Sequence, residues 1–202
     1  MVFDLYRKEL KIITDKKPQQ ELESIVARLE KNNDWQELSL RFHIVADDEV
    51  NAAAMLGGHI VINRGLIMKS ENAEQLLAVV AHEVAHIENR DVLKMFFSHV
   101  GMSGFFNLLF GDANLVIENL ALTSTKLLSL KYSREAELAA DKKAVDILSN
   151  SGISCQAMID FLAKSTAKKE GNGEISSRAE FLMTHPATAN RIGELQEYIA
   201  GN

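Results

Sequence analysis

The chain has 202 residues, with 22 Lys and Arg against 28 Asp and Glu, a formal net charge of −6 and a sequence pI of about 5.5. That acidic balance argues against a broad basic nucleic-acid surface, so no nucleic-acid partner is expected, and a single cysteine, Cys155, excludes a disulfide framework within the chain. Hydrophobic residues at 47% and charged residues at 25% are the balance of a globular chain with a core of its own.

The first residues, MVFDLYRKELKIITDKK, have no apolar run and no small-residue cleavage site, so they do not read as a signal peptide. The compartment stays open: cytoplasmic if Met1 is the native start, cell envelope or periplasm if it replaced a leader. From Pro18 to Lys31, Leu22, Ile25, Val26 and Leu29 fall at helical spacing, with Pro18 in the first turn. Leu38 to Ala46 reads as a strand and Val50 to Leu56 as a second apolar run. Gly57-Gly58 breaks the chain before a β-branched run, His59 to Asn63. The tight turns between these runs predict a small antiparallel sheet.

Asn72 to about Met95 predicts a long helix, capped by Asn72, with Leu76, Leu77, Val80, Val84 and Ile87 as its apolar stripe. Residues Met95 to Phe110 are too few and too polar to span a bilayer. They read first as a core or lid segment and second as a peripheral membrane contact. Asn114 to Leu130 predicts a helix, Ser133 to Leu148 another with Ser133 as cap, and Cys155 to Lys164 a third. Lys168 to Ser177 reads as a loop, and Thr184 to Tyr198 as a closing helix with Pro186 near its start. The inventory is α+β, mainly α.

Within the long helix stands His82-Glu83-Val84-Ala85-His86. Residues four apart share a helix face, so two imidazoles there can hold one zinc ion, and Glu83 falls beside the metal as a base for its water. A solvated histidine pair is the plain alternative. The apolar surroundings Leu76, Leu77, Val79, Val80 and Val84 count against it, because buried histidines need partners. A catalytic site needs a third protein ligand. The segment from Ser133 to Asp141 offers Glu137, with Glu135 nearly as good by spacing, and Asp141 four residues on from Glu137. Its plain alternative is an acidic helix start favoured by the dipole. His43 and His99 read as structural, and Cys155 as a small buried hydrophobe.

The set His82–His86 with Ser133-Arg134, Glu137 and Ala140-Asp141 resembles the CAAX-prenyl-protease and HtpX-like family of HExxH zinc metallopeptidases, in its soluble BepA-like branch. Asn51-Ala52, Gly57 to Val61 and Gly65 to Ile67 resemble the segment ahead of the family's HExxH helix. Ser151 to Ile153, Ala157-Met158 and Phe161-Leu162 resemble the stretch after its ligand helix, and Thr184 to Pro186 with Arg191-Ile192 its C-terminal motif. Ala53, Leu56, Ala85 and Asp91 depart from the pattern, standing where an aromatic, a Pro, a Gly and a His are common.

The resemblance implies a gluzincin-type fold with the small sheet beside the HExxH helix, and one Zn2+ per chain on His82, His86 and Glu137. It implies Asp141 orienting a ligand, and His185 near the metal as a second catalytic residue beside Glu83, stabilising an oxyanion. Arg191 is expected to pair structurally. The His59–Asn63 strand is implied to be an edge strand beside the cleft, binding extended substrate through Gly58, His59, Ile60 and Val61. Residues 1–202 then read as one metallopeptidase domain, with an N-terminal helical region over about 1–35 and a catalytic core over about 36–200. The expected function is a zinc-dependent endopeptidase acting on extended or misfolded protein segments. The alternative is a non-catalytic or latent zinc protein used as a peptide-binding, chaperone-like module. Oligomeric state stays open.

Overall fold

The computed structural model describes residues 3, 7, 10–98, 101, 111, 131–166, 181–185 and 189–201. The expected helix over 114–130, the loop over 168–177, His99, Pro186 and most of the 95–110 segment lie outside the described residues. Among those described, no helix is long and apolar enough to cross a membrane.

The first helix, α1 (Lys16–Glu30), starts where Asp15 accepts a hydrogen bond from the Lys17 amide at 3.1 Å, and it buries Leu22, Val26 and Leu29. A 3₁₀ turn (Gln36–Leu38) leads into three strands, β1 (Arg41–Val45), β2 (Ala52–Met55) and β3 (His59–Asn63). The helices α2 (Arg64–Lys69), α3 (Ala73–Glu88), α4 (Arg134–Asn150), α5 (Gln156–Thr166), α6 (Phe181–Thr184) and α7 (Ala189–Gly201) follow.

The sheet is mixed, where an antiparallel one was expected. Its order is β1-β3-β2, with β3 parallel to β1 from Arg41↔His59 to Val45↔Asn63 and antiparallel to β2 from Ala52↔Ile62 to Met55↔His59. The Gly57-Gly58 turn, with φ of 83° and 78°, reverses the chain and makes the β2–β3 pair antiparallel. The centre then goes to β3 because its middle residues Ile60, Val61 and Ile62 are all buried, a pattern that suits a strand covered on both faces. The expectation that His59–Asn63 is an edge strand is therefore corrected. Both edges of β3 are engaged, the Gly58 carbonyl accepts from the Arg41 amide at 2.9 Å, and β2 is an outer strand of the three.

One face of the sheet, with Phe42, Ile44, Ile60 and Ile62, joins the main core. The other, with Val45, Met55 and Val61, is covered by Phe3, Leu10 and Ile12. Between the sheet and the later helices lies α3, buried at every residue from Gln75 to His86. The helices α4 and α5 pack against α3, and α7 packs against α4 and α5. Helix α3 is shorter than its expected run to Met95. It ends at Glu88, and Arg90 takes a left-handed φ of 59° before helical residues resume at 91. On an unbroken helix, positions five apart point about 140° away from each other. The break instead brings Asp91 back onto His86.

Candidate metal centre and active site

Five segments meet around the middle of α3. This helix contributes His82, Glu83 and His86, α4 contributes Glu137 and Asp141, the turn after α6 contributes His185, α7 contributes Arg191, and the helical run after α3 contributes Asp91. All eight side chains are buried, which imposes the partner requirement in full. Helix α4 begins where Ser133 accepts from the Ala136 amide at 3.2 Å, and this places Glu137 one turn in and Asp141 on the same face.

His82 Nδ1 lies 2.9 Å from Asp141 Oδ1, and His86 Nδ1 lies 3.0 Å from Asp91 Oδ2. A carboxylate oxygen accepts, so the bond to Asp91 puts the His86 proton on Nδ1 and leaves a lone pair on Nε2, and the charge of Asp141 beside Nδ1 favours the same tautomer of His82. Those two Nε2 atoms are 3.1 Å apart, and each is 3.5 Å from an oxygen of Glu137. Two lone pairs and a carboxylate converging at that distance repel unless a cation lies among them. Nitrogen from two histidines with one carboxylate oxygen is a zinc donor set, and the outer carboxylates fix the ring tautomers as such sites require. These residues fit the metal. The same carboxylates favour positive charge on His82. Burial alone would push it down, but Asp141 and Glu137 raise it from 6.5 to about 9. Burial would raise Glu137, yet His185, His82 and His86 hold its carboxyl far below the usual range.

His185 was expected near the metal, and its Nδ1 lies 3.0 Å from Glu137 Oε1 and 3.3 Å from His82 Nε2. One ligand atom from each of His82, His86, Glu137 and His185 lies within 4.8 Å of the others. Glu83 is held by one oxygen only. Its Oε2 accepts from the Ala54 amide of β2 at 2.7 Å. Its Oε1 is buried without a hydrogen bond, 3.3 Å from His185 Nε2. A carboxylate with one anchored oxygen and one free oxygen is poised to move a proton.

Arg191 closes the back of the site. Its Nη2 donates to Asp141 Oδ1 at 2.7 Å, its Nε donates to Asp141 Oδ2, and its Nη1 is 2.7 Å from Glu137 Oε2. Burial would raise Asp141, but Arg191 and His82 hold its carboxyl below the usual range.

The sequence reading gave no role to Tyr132 or to the Ala54 amide, and it noted Asp91 only as a departure from a pattern. Tyr132 lies flat on His86, with ring centroids 3.8 Å apart and planes 11° apart. Burial raises its phenol well above 10, with Glu83, Glu137 and Asp91 adding to the shift. No periodicity marks a residue in the non-helical stretch before a cap. Gly58, His59, Ile60 and Val61 are not among the residues gathered here. His59 instead hydrogen-bonds His43 through Nδ1 at 2.8 Å and stacks on Phe3 at 3.8 Å.

Two histidines one turn apart, a carboxylate from a second helix and a half-free glutamate beside them define a metallopeptidase-type centre. The chain belongs to peptidase family M48, whose profile matches residues 16–199. It is similar to the beta-barrel assembly-enhancing protease of Escherichia coli strain K12, at 28% identity over 95% of this chain and 42% of that protein. It is also similar to the mitochondrial metalloendopeptidase OMA1 of Schizosaccharomyces pombe, at 26% identity over 81% of this chain and 48% of that protein. A protease HtpX homolog of Salinibacter ruber matches at 27% identity over 88% of this chain and 74% of that protein. The chain thus spans less than half the length of the first two relatives.

Proposed function

We propose that this chain is a zinc-dependent endopeptidase that hydrolyses extended or misfolded protein segments. The observation that carries the proposal is the convergence of His82 Nε2, His86 Nε2 and Glu137 beside a buried Glu83 oxygen that accepts no hydrogen bond and faces His185 Nε2. Zinc, when bound, supplies Lewis acidity and makes water more acidic. Glu83 Oε1 takes the proton of the attacking water and passes it to the leaving amine, so water and one peptide bond become a carboxylate and an amine. Its other oxygen stays on the Ala54 amide, which keeps the carboxylate from rotating away. His185 Nε2, beside Glu83, donates to the oxyanion as charge develops on the carbonyl oxygen.

The outward edge of β2 lies against Glu83 through Ala54, and this supports pairing with substrate in extended form. The name of the Escherichia coli relative ties that protein to β-barrel assembly. It supports envelope proteins as the substrate class here, and hence the cell envelope as the compartment. A latent resting form is favoured by one observation: His185 Nδ1 stands among the donors. Four protein donors close a zinc site, and activity then requires His185 to leave the donor set for its oxyanion role.

The test is elemental analysis for zinc with casein cleavage, on the wild type and on Glu83→Gln. The proposal expects zinc in both and turnover in the wild type only, reduced at least about 100-fold in the variant. Equal turnover in the two proteins would sink the assignment of the base. A wild type that takes up no zinc would sink the whole reading.

A further inference from the structure

We infer that Tyr132 is a positioning residue for His86, holding that ring in plane and so setting how tightly the site keeps its metal; the inference rests on the metallopeptidase reading above. Asp91 grips His86 at a single atom, Nδ1. One hydrogen bond fixes a direction but leaves the ring free to tilt about it. The flat contact with Tyr132, 3.8 Å between centroids with planes 11° apart, blocks that tilt. The same ring lies 5.6 Å from His185 at 31°, so it also bounds the space in which His185 moves.

His82 is held differently. Asp141 grips its Nδ1, and its aromatic neighbour Phe181 meets it edge-on, 6.1 Å away at 65°. Phe181 spends its face on His185 instead, at 4.4 Å and 14°. Among the described residues, His86 is thus the histidine of the HExxH pair that carries a face-to-face aromatic. An imidazole that donates its lone pair to a dication becomes partly positive, and a π-face favours positive charge. The contact therefore strengthens on metal binding, and the ring, rather than the hydroxyl, carries the effect.

The experiment measures zinc affinity by chelator competition and the visible spectrum of the cobalt-substituted protein, for wild type, Tyr132→Phe and Tyr132→Leu. Tyr132→Phe is expected within about threefold of wild type with an unchanged cobalt spectrum. Tyr132→Leu is expected to lose about 10-fold or more in affinity, the scale for outer partners of metal ligands, with shifted cobalt bands. Should Leu not fold, Tyr132→Gln, which keeps bulk without a π-face, carries the same comparison. Leu or Gln with wild-type affinity and spectrum overturns the role of Tyr132 and leaves the metallopeptidase reading intact. A wild type without metal affinity overturns both.

Discussion

Arg191 grips both oxygens of Asp141, and Asp141 in turn meets His82 Nδ1 at 2.9 Å. A buried cation on α7 thereby holds a carboxylate against a histidine of the candidate metal site on α3. The third guanidinium nitrogen reaches Glu137, so one side chain ties both buried carboxylates of α4. Replacing Arg191 by Met leaves Asp141 buried without its guanidinium partner and with His82 alone beside it, and the loss is expected at about 3–5 kcal/mol in urea unfolding. A variant with an unmoved midpoint would show that Asp141 does not depend on this pair.

Asp91 predicts a loss of a different kind. It sits at the border of the site, held by His86 on one side and by Lys94 at 3.1 Å on the other. Asp91→Ala is expected to lower zinc affinity by about 10- to 100-fold, since outer carboxylates orient and strengthen ligand histidines. Its thermal midpoint should move little by comparison. Chelator competition beside a melting curve separates the two effects, and unchanged affinity would refute an orienting role.

The glycines of the fold divide by what surrounds them. A Cβ on Gly65 would meet the Asp48 carbonyl oxygen at 2.1 Å and the Glu49 carbonyl oxygen at 2.5 Å. Both are backbone atoms that cannot swing aside. Gly65→Ala is expected to destabilise by about 1–3 kcal/mol or more. Gly193, inside α7 with nothing within 4 Å of its added Cβ, should gain about 0.5–1 kcal/mol on the same change, because Gly weakens a helix interior. Denaturation midpoints moving in the same direction for the two variants would contradict this account.

The covered face of the sheet predicts an acid sensitivity. His43 is pushed from 6.5 down to about 4 by burial, then by His59, Arg7 and Arg41. Its Nε2 and the His59 Nδ1, 2.8 Å apart, share one proton, and Phe3 stacks on both rings. The folded state binds less proton here than the unfolded state. The stabilising effect is therefore complete above about 6.5 and declines as pH falls toward 4. Because the ring is half-exposed, solvent screening limits the loss to about 1–2 kcal/mol. Urea midpoints at pH 7 and pH 4.5 should differ by that amount in the wild type and by less in His43→Asn. An equal pH dependence in both would place the acid sensitivity elsewhere.

The HExxH pair was legible in the sequence because a helix repeats every 3.6 residues, so spacing alone puts His82 and His86 on one face. The acidic face of α4 was legible for the same reason. Spacing could not choose between Glu137 and Glu135, since both fall in the first turns. The tertiary contact with α3 makes the choice: Glu137 is fully buried against both histidines. The role of Asp91 was hidden by the expectation of an unbroken helix to Met95, and the left-handed Arg90 that reverses this has no signal in residue type.

Strand existence was likewise a local property of β-branched runs and a Gly-Gly turn, but strand order was not. Which strand sits in the middle depends on which faces the helices cover, and His59–Asn63 took the centre because both of its faces are buried. The sequence by itself thus determined the elements and the paired histidines, through short-range periodicity and capping. The tertiary structure alone decided the partners: Arg191 on Asp141, Ala54 on Glu83, His185 on Glu137 and Tyr132 against His86. Each joins residues from different elements, and a contact of that kind is set by how buried surfaces pack rather than by any pattern along the chain.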